Sequence, residues 1–168
     1  RMLALILVCI ITLPDMAGQT AGRETGNFNF DWKFFKGEVP NAQSAVFDDS
    51  GWRKLDLPHD WTIEGPFSKE NSSCTGYLPG GVGWYRKTFN VPANLKDKKI
   101  FVYFDGVYNN SEVWINGTSL GKRPNGYISF QYDLTSKIRF GADNIISVRV
   151  DHTLDADSRW YTGSGIYR

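Results

Sequence analysis

The sequence predicts an all-β fold, an antiparallel jelly-roll sandwich, on three observations. Short runs that are alternating or continuously apolar recur along the chain, and Gly, Pro, Asn and Asp separate them. After Phe28 no run has the 3.6-residue periodicity of an amphipathic helix, so helical crossovers between parallel strands are not expected. Asn116 and Gly117 lie between two such runs, and this dipeptide is typical of type I′ hairpins. Together these features favour an antiparallel sandwich over a parallel sheet.

The N-terminal residues 1–21 have the pattern of a signal peptide. Arg1 and Met2 precede an apolar run over residues 3–13, which is too short to span a bilayer comfortably, and small residues follow it. We therefore expect a secreted or periplasmic protein with no membrane span, and one domain over residues 22–168. The alternative is that the apolar run is a buried segment of the fold.

The strands are expected in the following order. Residues 28–35 are predicted to form an edge strand pinned by its rings, and residues 54–58 another strand after a capped turn. Residues 84–91 alternate and end at Pro92, which is typical of a strand with one wet face. The continuous apolar run 100–104 predicts a strand buried on both faces. The remaining strands are predicted at residues 111–115, 118–121, 130–134 and 145–150.

Composition excludes several classes of function. The chain has 168 residues and a formal net charge of +1, with no basic block, so no nucleic-acid partner is expected. Once the leader is removed, Cys74 is the remaining thiol, which leaves no internal disulfide and no cysteine-based metal site. His59 and His152 have no spacing typical of a metal site, so we expect them to be structural and expect no metal or cofactor.

A long irregular segment from Pro58 to about Gly83 carries the first candidate site. Loops of this length inside a compact domain commonly bind something. Asp60 offers an acceptor for a sugar hydroxyl beside the ring of Trp61, which could stack on a pyranose. The alternative for Asp60 is a turn residue that bonds its own backbone. Because Trp61 and Trp160 lie outside the strand patterns, they are the better candidates for a binding surface, whereas Trp84 and Trp114 are expected to be buried.

The C-terminal segment carries the second candidate site. Asp157, Arg159 and Trp160 place a carboxylate, a guanidinium and a ring close together, which suits sugar recognition. Asp155 and Asp157 are two residues apart, so on an extended segment both would approach a substrate from one side, which suits binding better than acid and base catalysis. A salt-bridged turn is the competing interpretation. Small residues then precede 166–168, which is predicted to begin a strand.

Six ordered motifs resemble one known family. They lie at residues 47–52, 57–61, 83–89, 104–107, 112–117 and 158–168, and together they are similar to the N-terminal sugar-binding domain of glycoside hydrolase family 2, in its β-galactosidase branch. The resemblance implies a jelly roll that packs against an immunoglobulin-like domain and a (β/α)₈ barrel. The catalytic glutamates of the family lie in the barrel, so no catalytic residue is expected here and the fragment alone should be inactive.

The resemblance also implies roles for particular residues. Asp60 would contact the terminal sugar. Asp157 would contact it as well, and Arg159 is the alternative to Asp157 for that contact. The expected partners are a β-linked galactoside and the C-terminal domains of the same enzyme, a retaining exo-glycosidase. The alternatives are a β-glucuronidase or β-mannosidase, an autonomous carbohydrate-binding module, or a purely structural sandwich.

Overall fold

The computed structural model describes residues 22–153 and 161–168, and β-strands are the main regular secondary structure in these residues. Within them one layer is an antiparallel sheet of six strands in the order β2-β1-β3-β9-β6-β7. The second layer consists of two antiparallel pairs, β4 with β8 and β5 with β10. The strands are β1 (Trp32–Lys36), β2 (Arg53–Leu55), β3 (Gly81–Asn90), β4 (Phe101–Phe104), β5 (Val107–Tyr108), β6 (Ser111–Ile115), β7 (Thr118–Arg123), β8 (Phe130–Asp133), β9 (Asp143–His152) and β10 (Gly165–Ile166).

The hydrophobic core lies between these layers. β9 contributes Ile146, Val148 and Val150, which are fully buried because alternate residues of a strand point to the same face. Inward residues of the smaller pairs, such as Phe104 and Phe130, belong to the same buried cluster. The predicted antiparallel β-sandwich is therefore confirmed. Within the described ranges the helical turns are short 3₁₀ segments, at Thr62–Glu64, Ser73–Thr75 and Ala93–Leu95.

The predicted hairpin between β6 and β7 is confirmed. Asn116 and Gly117 have φ angles of 51° and 81°, the left-handed pair that a type I′ turn requires. The Asn116 side chain also donates to Asn144 Oδ1 at 2.8 Å and accepts the Ile145 amide at 3.0 Å. This turn is thus fixed both by its backbone and by its contacts with the start of β9.

Two strand predictions were wrong in detail. The run 100–104 is not buried on both faces, because Phe101 is 49% exposed and Tyr103 52% exposed while Val102 and Phe104 point into the core. β1 is not an edge strand, since it pairs with β2 on one side and with β3 on the other. A continuous apolar run identifies a strand but does not show how many of its faces are covered.

The outer face of β3 is covered at Trp84 and Arg86 and exposed at Thr88 and Asn90, so the predicted wet face holds only for the second half of the strand. Arg86 is fully buried there beneath the connection between β1 and β2. Its guanidinium donates to the carbonyl of Ala42, to the carbonyl of Ser44 at 3.1 Å, and to Ser147 Oγ at 3.0 Å. It also forms an ion pair with Asp49 at 2.8 Å. One buried cation therefore fastens a long loop to the sheet, and Trp84, 3% exposed, lies on the same face.

The predicted signal peptide at residues 1–21 lies outside the described residues. Among residues 22–153 and 161–168, no helix has the length and apolar character needed to cross a bilayer.

Candidate functional site

The segment that contains Asp60 lies alongside the C-terminal strand. The His59 amide donates to the carbonyl of Ile166 at 2.9 Å, and the Trp61 amide donates to the carbonyl of Ser164 at 3.1 Å. β10 pairs on its other side with β5. Residues 59–61 are therefore fastened to β10 by two backbone hydrogen bonds at this edge of the second layer without forming a regular strand, whereas the sequence between Pro58 and Gly83 predicts only an irregular loop.

This pairing explains which side chains reach the surface. In an extended segment successive side chains point to opposite faces. His59 and Trp61 point inward, with 9% and 1% of their surfaces exposed, so Asp60 between them is turned outward. The expectation that Trp61 presents an exposed stacking face is therefore wrong. Its ring stacks on Phe34 at 5.8 Å, and its indole N–H donates to the carbonyl of Gly80 at 3.3 Å.

The Asp60 carboxylate joins the two segments. Oδ1 accepts the Thr62 amide at 2.9 Å and the Ser164 amide at 2.8 Å, while Oδ2 accepts the Tyr161 hydroxyl at 2.5 Å. Burial opposes ionisation, but the hydrogen bonds from Tyr161, Ser164 and Thr62 outweigh it and hold the pKa of Asp60 below its ordinary value. Asp60 is thus a half-buried anion held in one orientation.

The carboxylate has capacity left for a ligand. An ionised carboxylate offers about four acceptor positions. Among residues 22–153 and 161–168, three donors are bound to it, two at Oδ1 and one at Oδ2. Oδ2 lies beside Tyr161, which is 40% exposed. A hydroxyl donor, such as that of a sugar, is the type of group that the carboxylate would accept.

A buried polar network supports this segment from inside. His59 Nδ1 lies 2.7 Å from the Tyr85 hydroxyl, and its Nε2 lies 2.9 Å from Arg53 and 3.2 Å from Glu64. Burial lowers the pKa of His59, against the opposing influence of Glu64. Since a guanidinium can only donate, Nε2 accepts from Arg53, and we assign the proton of the neutral ring to Nδ1, which donates to Tyr85.

The burial of His59 predicts a pH dependence of stability. Its folded pKa lies below the unfolded value of 6.5, so the unfolded chain binds more protons between these two values. We expect the free energy of unfolding to fall as the pH decreases from 6.5, by at most about 1.4 kcal/mol per pH unit for this proton. Asp60 and Glu64, with lowered pKa values, lose their contributions only at more acidic pH.

Urea denaturation of the chain between about pH 5 and 7.5 measures this slope, with His59→Gln as the comparison. The variant keeps His152 and all carboxylates, so the difference between the two slopes reports on His59 alone. Equal slopes in the two proteins would show that folding does not perturb this imidazole.

One cleft in the described part of the chain is not lined by Asp60. It has a volume of about 380 Å³ and lies at the edge of the six-stranded sheet, where it is lined by Phe34, Phe35, Lys36, Gly51, Arg53, Trp61, Glu64 and Gly65. Asp60 is half-buried and is not among the residues that line this cleft. We assign the candidate site to Asp60 because its carboxylate is held in one orientation, and not because of a cavity.

The other candidate residues lie outside the described ranges. Asp157, Arg159 and Trp160 belong to the gap at 154–160, so their substrate-binding role stays a prediction. Tyr161 and Ser164, which were not singled out as ligands, are the C-terminal residues that the structure brings to Asp60. The described residues contain no group of three or more His, Cys, Asp or Glu side chains that could hold a metal ion.

Comparison with known proteins places these residues in context. Residues 38–164 match the family model described as the glycosyl hydrolase 2 galactose-binding domain-like family. The chain is 57% identical over 148 residues to a β-galactosidase of Bacteroides ovatus and 45% identical over 165 residues to a putative β-glucuronidase of Formosa agariphila. These matches cover 87% and 96% of this chain but 17% and 16% of the relatives.

Solved structures also match this chain over one part of a longer protein. A β-glycosidase from Bacteroides vulgatus superimposes with a TM-score of 0.83 at 53% identity, covering 87% of this chain and 19% of that one. A glycosyl hydrolase family 2 member from Bacteroides cellulosilyticus superimposes with a TM-score of 0.82 at 41% identity, covering 85% of this chain and 19% of that one. The chain thus spans less than a fifth of each of these four relatives.

Proposed function

This chain belongs to glycoside hydrolase family 2, as its galactose-binding-like N-terminal domain, and on that premise we propose that it forms a non-catalytic wall of the sugar pocket of a secreted exo-glycosidase. In this proposal Asp60 accepts a hydroxyl of the terminal sugar. The rest of a longer enzyme supplies the catalytic carboxylates and closes the pocket. The relatives, of which the chain covers only 17% and 16%, support a longer protein.

The fixed Asp60 carboxylate is the observation that carries this proposal. Sugar recognition needs acceptors whose direction is set in advance, because each unsatisfied or misdirected group costs affinity. Two backbone amides and one phenol hold Asp60 in place, and Oδ2 lies beside the partly exposed Tyr161. A turn residue that only closed its own backbone would need the Thr62 bond alone. The additional bonds to Ser164 and Tyr161 favour a site at the junction of the two segments.

We propose a β-linked galactoside as the substrate. The 57% identical relative, named a β-galactosidase, supports this choice. A β-glucuronide is the second candidate, supported by the 45% identical relative named a putative β-glucuronidase. A β-glucuronide carries a carboxylate that a β-galactoside lacks, and the Asp60 anion would disfavour that group wherever it came close.

The test is to express the complete enzyme that contains this chain and to measure kcat/KM on p-nitrophenyl β-galactoside and p-nitrophenyl β-glucuronide. We expect the galactoside to be preferred by at least about tenfold, which corresponds to roughly 1.4 kcal/mol. A preference for the glucuronide would assign the second candidate.

The isolated 168-residue chain provides the control. It should hydrolyse neither substrate and should bind galactose only weakly, because affinity in such pockets comes from contacts that converge from several sides. Hydrolysis of either substrate by the chain alone would contradict the proposal that the rest of the enzyme supplies the catalytic carboxylates. Millimolar or tighter binding of galactose would instead favour an autonomous carbohydrate-binding module.

A further inference from the structure

We propose that Tyr161 and Gly163 are positioning residues for Asp60, an inference that rests on the proposed function of that carboxylate. Tyr161 would hold Oδ2 by a hydrogen bond, and Gly163 would leave the space that the carboxylate occupies. Together they would determine which hydroxyl of the sugar the site recognises. Neither residue needs to touch the sugar for this purpose.

The contact of Tyr161 is the first observation. Its hydroxyl donates to Oδ2 of Asp60 at 2.5 Å, which is short and typical of a phenol bonded to a carboxylate. Burial and the nearby Asp60 charge raise the pKa of Tyr161, so the phenol keeps its proton throughout the neutral range. The bond therefore has a permanent donor, and the orientation of Oδ2 does not change with pH in the working range of an enzyme.

The space at Gly163 is the second observation. A Cβ atom built at this position would lie 2.5 Å from Oδ2 and 2.9 Å from Cγ of Asp60. Gly163 is not among the glycines with positive φ, so the backbone there would accept an L-residue. Gly163 is thus required for the room it leaves beside the carboxylate, and Gly163→Ala adds one methyl group without backbone strain.

These contacts immobilise the carboxylate. Rotation about its Cβ–Cγ bond would break the bonds from Thr62 and Ser164 to Oδ1 as well as the bond from Tyr161 to Oδ2. The acceptor directions of Oδ1 and Oδ2 are consequently fixed relative to the fold. An acceptor with one direction selects one hydroxyl of a bound sugar, whereas a freely rotating carboxylate would serve several.

The test uses the complete enzyme and the set of monodeoxy galactosides. The unmodified enzyme should discriminate against one deoxy sugar, the one that lacks the hydroxyl bound by Asp60. We expect Tyr161→Phe to lower kcat/KM for the parent galactoside by about tenfold, mainly through KM, and to reduce the discrimination against that deoxy sugar. Gly163→Ala should do the same or more. Tyr103→Phe, at an exposed position of β4, is the matched control and should change neither quantity.

The discrimination ratio is kcat/KM for the parent galactoside divided by kcat/KM for the deoxy sugar. It distinguishes a residue that positions Asp60 from one that only anchors its loop. A tyrosine that merely fastened its loop would lower activity on all sugars alike and would leave the ratio unchanged, which would overturn the proposal. Unchanged kinetics for both Tyr161→Phe and Gly163→Ala, with Asp60→Ala impaired, would also overturn it while leaving the proposed function intact. Unchanged kinetics for Asp60→Ala would instead reject the proposed function itself. If Gly163→Ala does not fold, the ratio for Tyr161→Phe decides.

Discussion

Replacing Asp60 by alanine in the complete enzyme is expected to lower kcat/KM by about ten- to a thousandfold. The loss of one hydrogen bond to a charged group costs roughly 1.5 to 3 kcal/mol, which sets the lower part of this range. The upper part follows because alanine also releases the Ser164 amide and the Tyr161 hydroxyl, so the C-terminal side of the site loses its support. Steady-state kinetics on the preferred p-nitrophenyl glycoside measure the effect.

Two variants show whether the carboxylate itself is responsible. Asp60→Asn keeps an oxygen for the Thr62 and Ser164 amides but removes the charge, so it should be impaired less than Asp60→Ala while folding normally. Asp133→Ala is the matched control. The Asp133 carboxylate also accepts the backbone amide of the residue two positions later, Thr135, at 2.8 Å, but Asp133 lies on β8. Full activity of a folded Asp60→Ala enzyme would exclude Asp60 from the site.

Replacing Arg86 by methionine is expected to destabilise the chain by about 3 to 5 kcal/mol, the usual cost of removing one partner from a buried ion pair. The substitution leaves the carbonyls of Ala42 and Ser44 without their donor. It also removes one of the two cations paired with Asp49, the other being Lys33 at 2.6 Å. Urea denaturation measures the loss, and amide exchange should show the connection between β1 and β2 opening first.

Matched substitutions test the explanation. Arg86→Lys keeps the charge but cannot reproduce the several directed bonds of a guanidinium, so its loss should be intermediate. Arg139→Met removes an exposed arginine whose side chain donates to Asn116 at 3.3 Å, and it should change stability by no more than about 0.5 kcal/mol. If Arg86→Met also changed stability by no more than about 0.5 kcal/mol, packing and not the buried cation would hold the connection between β1 and β2 in place.

Local signals in the sequence were sufficient to locate most of the strands, although not β5, and to predict the Asn116–Gly117 turn. Alternation and turn residues act over a few positions, and those features depend on nothing further away. Alternation over residues 84–91 also predicted a strand with one wet face. It could not show that residues of the connection between β1 and β2 cover that face, because what covers a sheet is decided by distant parts of the chain.

The candidate site was predictable in part for the same reason. The motif that contains Asp60 and its likeness to a known family pointed to the residue, yet the burial of Trp61 was missed. The order His59, Asp60, Trp61 did indicate that the two rings could point inward. A carboxylate between two ring side chains, after a proline, is compatible with a segment that lies along the edge of a sheet. Its pairing partner at 164–166 lies about a hundred positions away, as the separation of 104 between Asp60 and Ser164 shows, so no local pattern could reveal it.

That separation also bears on how the protein matures. The bonds between residues 59–61 and 164–166 raise the contact order of the fold, and loop-closure entropy must be overcome before such distant partners meet. During synthesis the Asp60 segment leaves the ribosome long before its partner strand exists. The edge that carries Asp60 is therefore among the last parts of the domain that the nascent chain can complete.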